Sequence, residues 1–276
     1  MKVVKIALIQ QKCSEDKNSN REKGAQAVIK AAREGAQIIC FAELAFEPFH
    51  PQEPAKEDVL NLAEPVPGPT TEIFSKLARD LGVVIVLNLF EREGHRTYDT
   101  SPVIDSDGRI LGKTRMVHIT DYKHFHERGY YHPGDNWVVV YDCAVAKIGV
   151  AICYDRHYPE YMRALTLAGA QIVFTPQAGA VGEWPEGLYE AEMRVAAFQN
   201  GYFTALCNRV GSEPKLTFAG ESFVCDPMGK VIARAGMGTE EILFCELDLD
   251  LIEQSPARKL FLRDRRPEMY KMSDEQ

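Results

Sequence analysis

The sequence predicts an α/β layered domain with mixed sheets, and three observations carry that prediction. Short apolar runs of strand length alternate with segments whose apolar residues recur at helical spacing. Hairpin-like pairs interrupt the alternation, which argues against a fully parallel sheet. Finally, EGAQIICFAE, ending on Glu43, and AGAQIVFTPQ, ending on Gln177, repeat one pattern: a helix stopped by glycine, a buried strand, then a polar residue at the strand's end. Two half-units of this kind can pack sheet to sheet with their strand ends meeting at one rim.

In chain order, residues 3–10 (VVKIALIQ) read as a buried strand, 21–35 as a helix from their apolar spacing, and 36–41 as a strand. A helix over 70–81 precedes a strand over 83–90. Strands over 101–105 and 109–119 flank the turn at Asp107-Gly108. Apolar runs predict further strands over 137–141, 147–152, 172–175, 202–208, 222–226, 231–235 and 242–248. Helices are expected over 159–168, with Pro159 suited to its first turn, and over 186–200 and 250–254. Residues 118–135, rich in His and Tyr, form the longest stretch without periodicity, and such loops within a compact domain are often functional. The charged C-terminus, 255–276, is expected to extend over the surface or onto a partner subunit.

The 276 residues are 45% hydrophobic and 26% charged, enough chain for one large core, so a single domain over 1–276 is expected. A net charge of −8 with no basic run argues against nucleic-acid and anionic-membrane partners. No stretch is long and apolar enough to span a bilayer, and MKVVKIALIQ lacks the pattern of a secretory signal, so a cytoplasmic location is expected. The seven cysteines form no CxxC pair, which suggests neither a zinc cluster nor a thioredoxin-like site. Cys40, Cys207, Cys225 and Cys245 sit in apolar stretches and read as buried small hydrophobes.

Cys153 differs. In GVAICYDRHYPE it ends an apolar strand run, with polar residues and Pro159 following. A thiol becomes a strong nucleophile as a thiolate, which a base, a cation or helix amides promote. Glu43 is the candidate base: it ends an otherwise apolar strand, where burial raises a carboxyl pKa toward neutrality. Taken alone, Cys153 also reads as a core cysteine and Glu43 as an ion-paired structural acid. No local signature of a Cys/His protease surrounds the thiol.

FAELAF around Glu43 and GVAICYDRHYPE around Cys153 resemble the carbon–nitrogen hydrolase (nitrilase) superfamily. HPGD at 132–135, CNRVG at 207–211, FAGES at 218–222 and DPMGKV at 226–231 are similar too, so the resemblance spans nearly the whole chain. ICYDRHYPE and the RDRRPEMY tail are most similar to the N-carbamoyl amine and amino-acid amidohydrolases. The resemblance implies a four-layer α-β-β-α sandwich, a homodimer, a small-molecule amide or N-carbamoyl substrate, and no metal or organic cofactor. It implies a catalytic set in which Cys153 attacks a carbonyl to give a thioester, Glu43 is the general base and Glu127 positions groups beside the thiol. It also assigns substrate contacts to His118 and Arg156, the latter gripping a carboxylate. For Arg156 an ion pair with Asp155, Glu160 or another nearby acid is the structural alternative.

One departure stands out. Where the family carries a lysine that stabilises the oxyanion, GKTRMVHIT places Met116. Strand alternation puts 114, 116 and 118 on one face and turns Lys113 to the other. His118 is then the expected source of positive charge near the thiol, with Lys123 on the following loop a further candidate. Three readings follow: an N-carbamoyl amidohydrolase, a simple-amide amidase or acyltransferase, and a ligand-binding pseudoenzyme dimer.

Overall fold

The structure, a computed structural model, describes residues 2–56 and 59–270. Two mixed sheets form its centre. In the first, Glu241–Asp248, Val3–Gln10, Ile38–Phe41, Val84–Val86, Arg96–Ile104 and Leu89–Glu93 follow one another, and Ile110–Arg115 pairs with Arg96–Ile104. In the second the order is Val231–Arg234, Phe223–Cys225, Phe203–Asn208, Ile172–Gln177, Lys147–Val150 and Val140–Asp142. Each sheet has a parallel centre: Val3–Gln10, Ile38–Phe41 and Val84–Val86 in the first, and Lys147–Val150, Ile172–Gln177 and Phe203–Asn208 in the second. Parallel strands covered on both faces read as unbroken apolar runs, which is why IICF and IVFT show no alternation.

The helices Lys17–Arg33 and Pro69–Leu81 cover the first sheet, and Phe41, Phe46 and Phe74 interlock there with ring centroids 5.0–5.3 Å apart. Pro159–Leu167 and Leu188–Asn200 cover the second. Between the sheets lies the main core, including Leu8, Cys40, Val86, Ile148, Cys207 and Val224. The Cys207 thiol spans that gap, 3.4 Å from both the Ile9 and Cys40 carbonyl oxygens. The fold is thus the expected four-layer α-β-β-α sandwich. Cys40, Cys207, Cys225 and Cys245 are buried as expected, and all seven thiols are free. Among the described residues no helix is long and apolar enough to cross a membrane.

Three differences from the sequence reading have local causes. The first helix begins at Lys17 because Asp16 caps it, accepting from the Asn18 and Ser19 amides at 2.9 and 3.2 Å. The expected strand 83–90 divides, since Asn88 turns its amide into the protein to bond other segments. The expected strand 109–119 stops at Arg115: the Met116 amide still reaches the Asp99 carbonyl, but those of Val117 and His118 go to the Asp155 carboxylate. The expected tail opens with a helical turn, Ala257–Phe261, whose Phe261 ring lies 5.4 Å from Phe198. Its residues 271–276 lie outside the described residues.

Candidate active site

Cys153 and Glu43 approach from opposite sheets. Lys147–Val150 runs on through Ile152, and Cys153 opens the 3₁₀ turn Cys153–His157. The helix expected to aim its amides at the thiol begins only at Pro159. Cys153 has φ +39°, in the left-handed region that non-glycine residues seldom occupy and that clusters at functional sites. Two buried side chains hold this bend. Asp155 accepts from the Ile152 amide at 3.3 Å, the Val117 amide at 3.1 Å and the His118 amide at 3.0 Å. Arg156 donates through Nη1 to the Cys153 carbonyl at 2.7 Å.

Glu43 stands just past Ile38–Phe41 and is fully buried. The next residue, Leu44, also has a left-handed φ, +44°. Its amide donates to Asn88 Oδ1 at 2.7 Å, and the buried Arg209 donates to the carbonyls of both Glu43 and Leu44. Arg209 is the arginine of CNRVG, so that stretch acts as a brace for the Glu43 segment. Neither Glu43 oxygen has a hydrogen-bond partner of ordinary length. Its polar neighbours are the Cys153 thiol and the Asp99 carboxyl. Burial, and then the Glu127 carboxyl, push the Glu43 pKa up to about 7.

Glu127 comes from the 3₁₀ turn Glu127–Gly129 in the loop without periodicity. It is 1% exposed, accepts weakly from the Thr120 amide at 3.4 Å, and is held well above the usual carboxylate range by burial and by Asp99. Burial likewise pushes the Cys153 thiol well up, Glu43 adds to this, and the Arg156 guanidinium opposes it. The resting sulfur is therefore a thiol, and the adjacent carboxyl titrates near neutrality, where a general base would.

The other candidates fall in different places. Met116 is fully buried in the same inter-sheet cluster as Cys153 and Ile152. HPGD packs against it: the Gly134 amide donates to the Met116 carbonyl at 2.7 Å, and a Cβ on Gly134 would lie 2.6 Å from the Arg115 carbonyl oxygen. Lys113 turns away as alternation requires, to Glu91, Glu93 and the Val66 carbonyl. Lys123 is exposed. His118 lies past the end of the strand, so alternation does not carry it to the Met116 face. Its Nδ1 is 2.7 Å from Asp155 Oδ1 and its ring stacks on Tyr158 at 3.5 Å. Arg156 pairs with neither Asp155 nor Glu160 but with Glu192, 3.2 Å from Nε, and its guanidinium lies 4.7 Å from the Tyr189 ring centre.

Several site residues were not singled out from sequence. Asp99, in Arg96–Ile104, is fully buried against Glu43. The Tyr131 hydroxyl is buried without a partner and faces Asp99, Glu43 and Glu127. Glu183 accepts from the Tyr122 and Tyr189 hydroxyls and acts electrostatically on the Cys153 thiol. For Asp99 a signal existed: it is a lone acid inside a strand, the same signal that marked Glu43. Among the described residues no group of three or more His, Cys, Asp or Glu side chains is placed to hold a metal ion.

The family model described as carbon-nitrogen hydrolase matches residues 5–257. The chain belongs to that family. It is 35% identical to the N-carbamoylputrescine amidase of Solanum lycopersicum, over 98% of this chain and 95% of the relative. A carbon-nitrogen hydrolase structure from Helicobacter pylori G27 superposes with TM-score 0.90 at 30% identity, covering 97% of each chain. An amidase from Nesterenkonia sp. AN1, solved after addition of acrylamide at its active site cysteine, superposes with TM-score 0.82 at 26% identity, covering 97% of this chain and 98% of that one. As a carbon–nitrogen hydrolase, this chain is an enzyme acting on non-peptide C–N bonds.

Proposed function

We propose that the chain is a cysteine-dependent amidohydrolase that cleaves an N-carbamoyl amine through a thioester on Cys153. The observation that carries this reading is a buried, protonated thiol beside a carboxyl whose pKa is raised to about 7. Glu43 takes the Sγ proton as sulfur attacks the carbonyl carbon, and the carbonyl π pair moves to oxygen. As the oxyanion collapses, the C–N bond breaks and the leaving nitrogen takes the proton back from Glu43. Water then attacks the thioester, giving a proton to Glu43; the C–S bond breaks as the intermediate collapses, and Glu43 returns that proton to sulfur to restore the thiol. Glu127 shapes the field around these steps, and Asp155 with Arg156 fixes the bend that presents sulfur.

Charge near the thiol supports an amine over an amino acid. Arg156 is engaged by Glu192, and Glu183 adds a second carboxyl whose partners, two tyrosine hydroxyls and the Ala180 amide, carry no charge. Two acids for one guanidinium suit a substrate with a cationic end, as the name of the Solanum relative also suggests. In this reading the enzyme works in the cytoplasm as a homodimer, with exposed Leu167, Val195, Phe198 and Phe261 on the outer helical layer as the apolar surface a second copy covers. Met116, standing where the family lysine is expected, favours a second reading, a catalytically weak member that binds such a ligand and turns it over slowly.

Ammonia release across N-carbamoyl amines, N-carbamoyl amino acids and simple amides tests both. Turnover highest on N-carbamoyl amines is expected. Tight binding with only slow ammonia release supports the second reading, and preference for carboxylate substrates removes the charge argument.

A further inference from the structure

Asp99 has no part in the reading above, yet its carboxyl is fully buried beside Glu43. Three contacts fix it. Its carbonyl accepts from the Met116 amide at 2.9 Å, its Oδ1 accepts from Asn88 Nδ2 at 2.5 Å, and its Oδ2 is buried with no partner. The same Asn88 amide holds the Leu44 N–H at 2.7 Å through its oxygen, so one side chain ties Asp99 to the residue after Glu43. Both Glu43 oxygens are also buried without partners. Three oxygens on two neighbouring carboxyls thus lie out of water without a hydrogen bond, with the Cys153 thiol and the Tyr131 hydroxyl as the donors beside them. Two ionised carboxylates in that place each lose their hydration without compensation and repel one another. One proton between them removes both difficulties.

We propose that Glu43 and Asp99 form a carboxyl pair sharing one proton, in which the Asp99 hydroxyl donates to the Glu43 carboxylate and holds it toward the Cys153 thiol. The proposal rests on Glu43 and Cys153 acting as base and nucleophile. Asp99 is then a positioning residue.

The surrounding charges leave this proton little competition. Glu127, Asp155 and Cys153 act on the pair, and the Tyr131 hydroxyl faces it. Of the cations, Arg156 is held by Glu192 and the Cys153 carbonyl, and Arg209 by Glu213 and the Glu43 loop, while the His118 ring is turned to Asp155. Lys113 and Arg115 are committed to Glu91 and Glu93, and position 116 is a methionine. The titration directions agree: Asp99 is held well above the carboxylate range by burial and by Glu43, whereas the neighbouring Asp99 carboxyl acts to lower the Glu43 value. During turnover Glu43 accepts the thiol proton and returns it to the leaving nitrogen, while the Asp99 proton stays in place.

The test compares Asp99→Asn and Asp99→Leu in the full chain. Asparagine can accept from Asn88 and donate to Glu43 but cannot ionise; leucine does neither. In kcat/KM against pH, the lower limb of Asp99→Asn is expected to stay at the wild-type position. In Asp99→Leu that limb moves up by about one pH unit, and kcat falls below that of Asp99→Asn on the order of ten-fold. Infrared difference spectra, wild type minus Asp99→Asn at pH 8, are expected to show one protonated-carboxyl stretch. An absent stretch overturns the pair, and so does a Leu variant whose limb stays with the wild type. The infrared readout needs no turnover, so it stands even if Cys153→Ala remains active and the catalytic reading fails.

Discussion

Replacing Glu43 by glutamine should make the protein more stable, and only above a definite pH. In the folded chain the Glu43 carboxyl is raised from 4.5 to about 7, mainly by burial. Between those values the folded state holds a proton that the unfolded chain has released, so stability falls as pH rises through the window. The gap corresponds to about 3 kcal/mol, fully present above pH ~7 and absent below pH ~4.5. Glutamine cannot ionise and escapes this cost. Any packing or hydrogen-bond difference between amide and neutral acid adds an offset that does not vary with pH. The quantity to measure is therefore the change with pH in the difference between the two midpoints. At roughly 2–4 °C per kcal/mol for chains of this size, the Glu43→Gln advantage should grow by roughly 6–12 °C between pH 4.5 and 8. Thermal scans of both proteins across that range, repeated as urea titrations, give the number. A difference that is flat with pH would mean that the carboxyl is not desolvated as the structure places it, and the near-neutral base would go with it.

Four further outcomes are expected. The lower limb of kcat/KM for the wild type should lie near pH 7, because Glu43 must be ionised to take the thiol proton; a limb near pH 4.5 removes Glu43 as the base. Glu43→Gln should lower kcat by about 10²–10⁴-fold, the usual contribution of a positioned base, read as ammonia release at pH 8. His118→Ala should cost more activity than Lys113→Ala, since His118 supports Asp155 at the Cys153 bend while Lys113 serves the distant Glu91 and Glu93; equal losses would sever His118 from the site. Gly134→Ala should destabilise by about 1–3 kcal/mol, because its Cβ would press on the Arg115 carbonyl, and an unchanged urea midpoint would contradict that packing.

Much of the framework was legible because buried parallel strands leave a plain mark. VVKIALIQ gave its strand to the residue, and DLIEQ its short helix likewise. The repeated helix–strand–polar pattern placed Glu43 at a strand end on the rim where Cys153 emerges from the other sheet. Side-chain partners were less legible, because tertiary hydrogen bonds decide them. The strand carrying Met116 ended early when Asp155, 37 residues away from His118, captured the next two amides, and this took His118 off the expected face. Arg156 went to Glu192, 36 residues away, a pairing that no local spacing reveals. Asp99 escaped notice because the expected strand began at residue 101; the polar run before it hid a strand that starts at Arg96, in which Tyr98, Asp99 and Thr100 are all buried.

The account stands or falls on the sulfur of Cys153. Once the ammonia panel has supplied a substrate, acid quenching during turnover followed by intact-mass and peptide analysis reads the sulfur directly. The account predicts an added acyl or carbamoyl mass on the Cys153 peptide, absent in Cys153→Ala, which folds but releases no ammonia. Substrate turnover by Cys153→Ala at the wild-type rate, or an adduct confined to another cysteine, would contradict it.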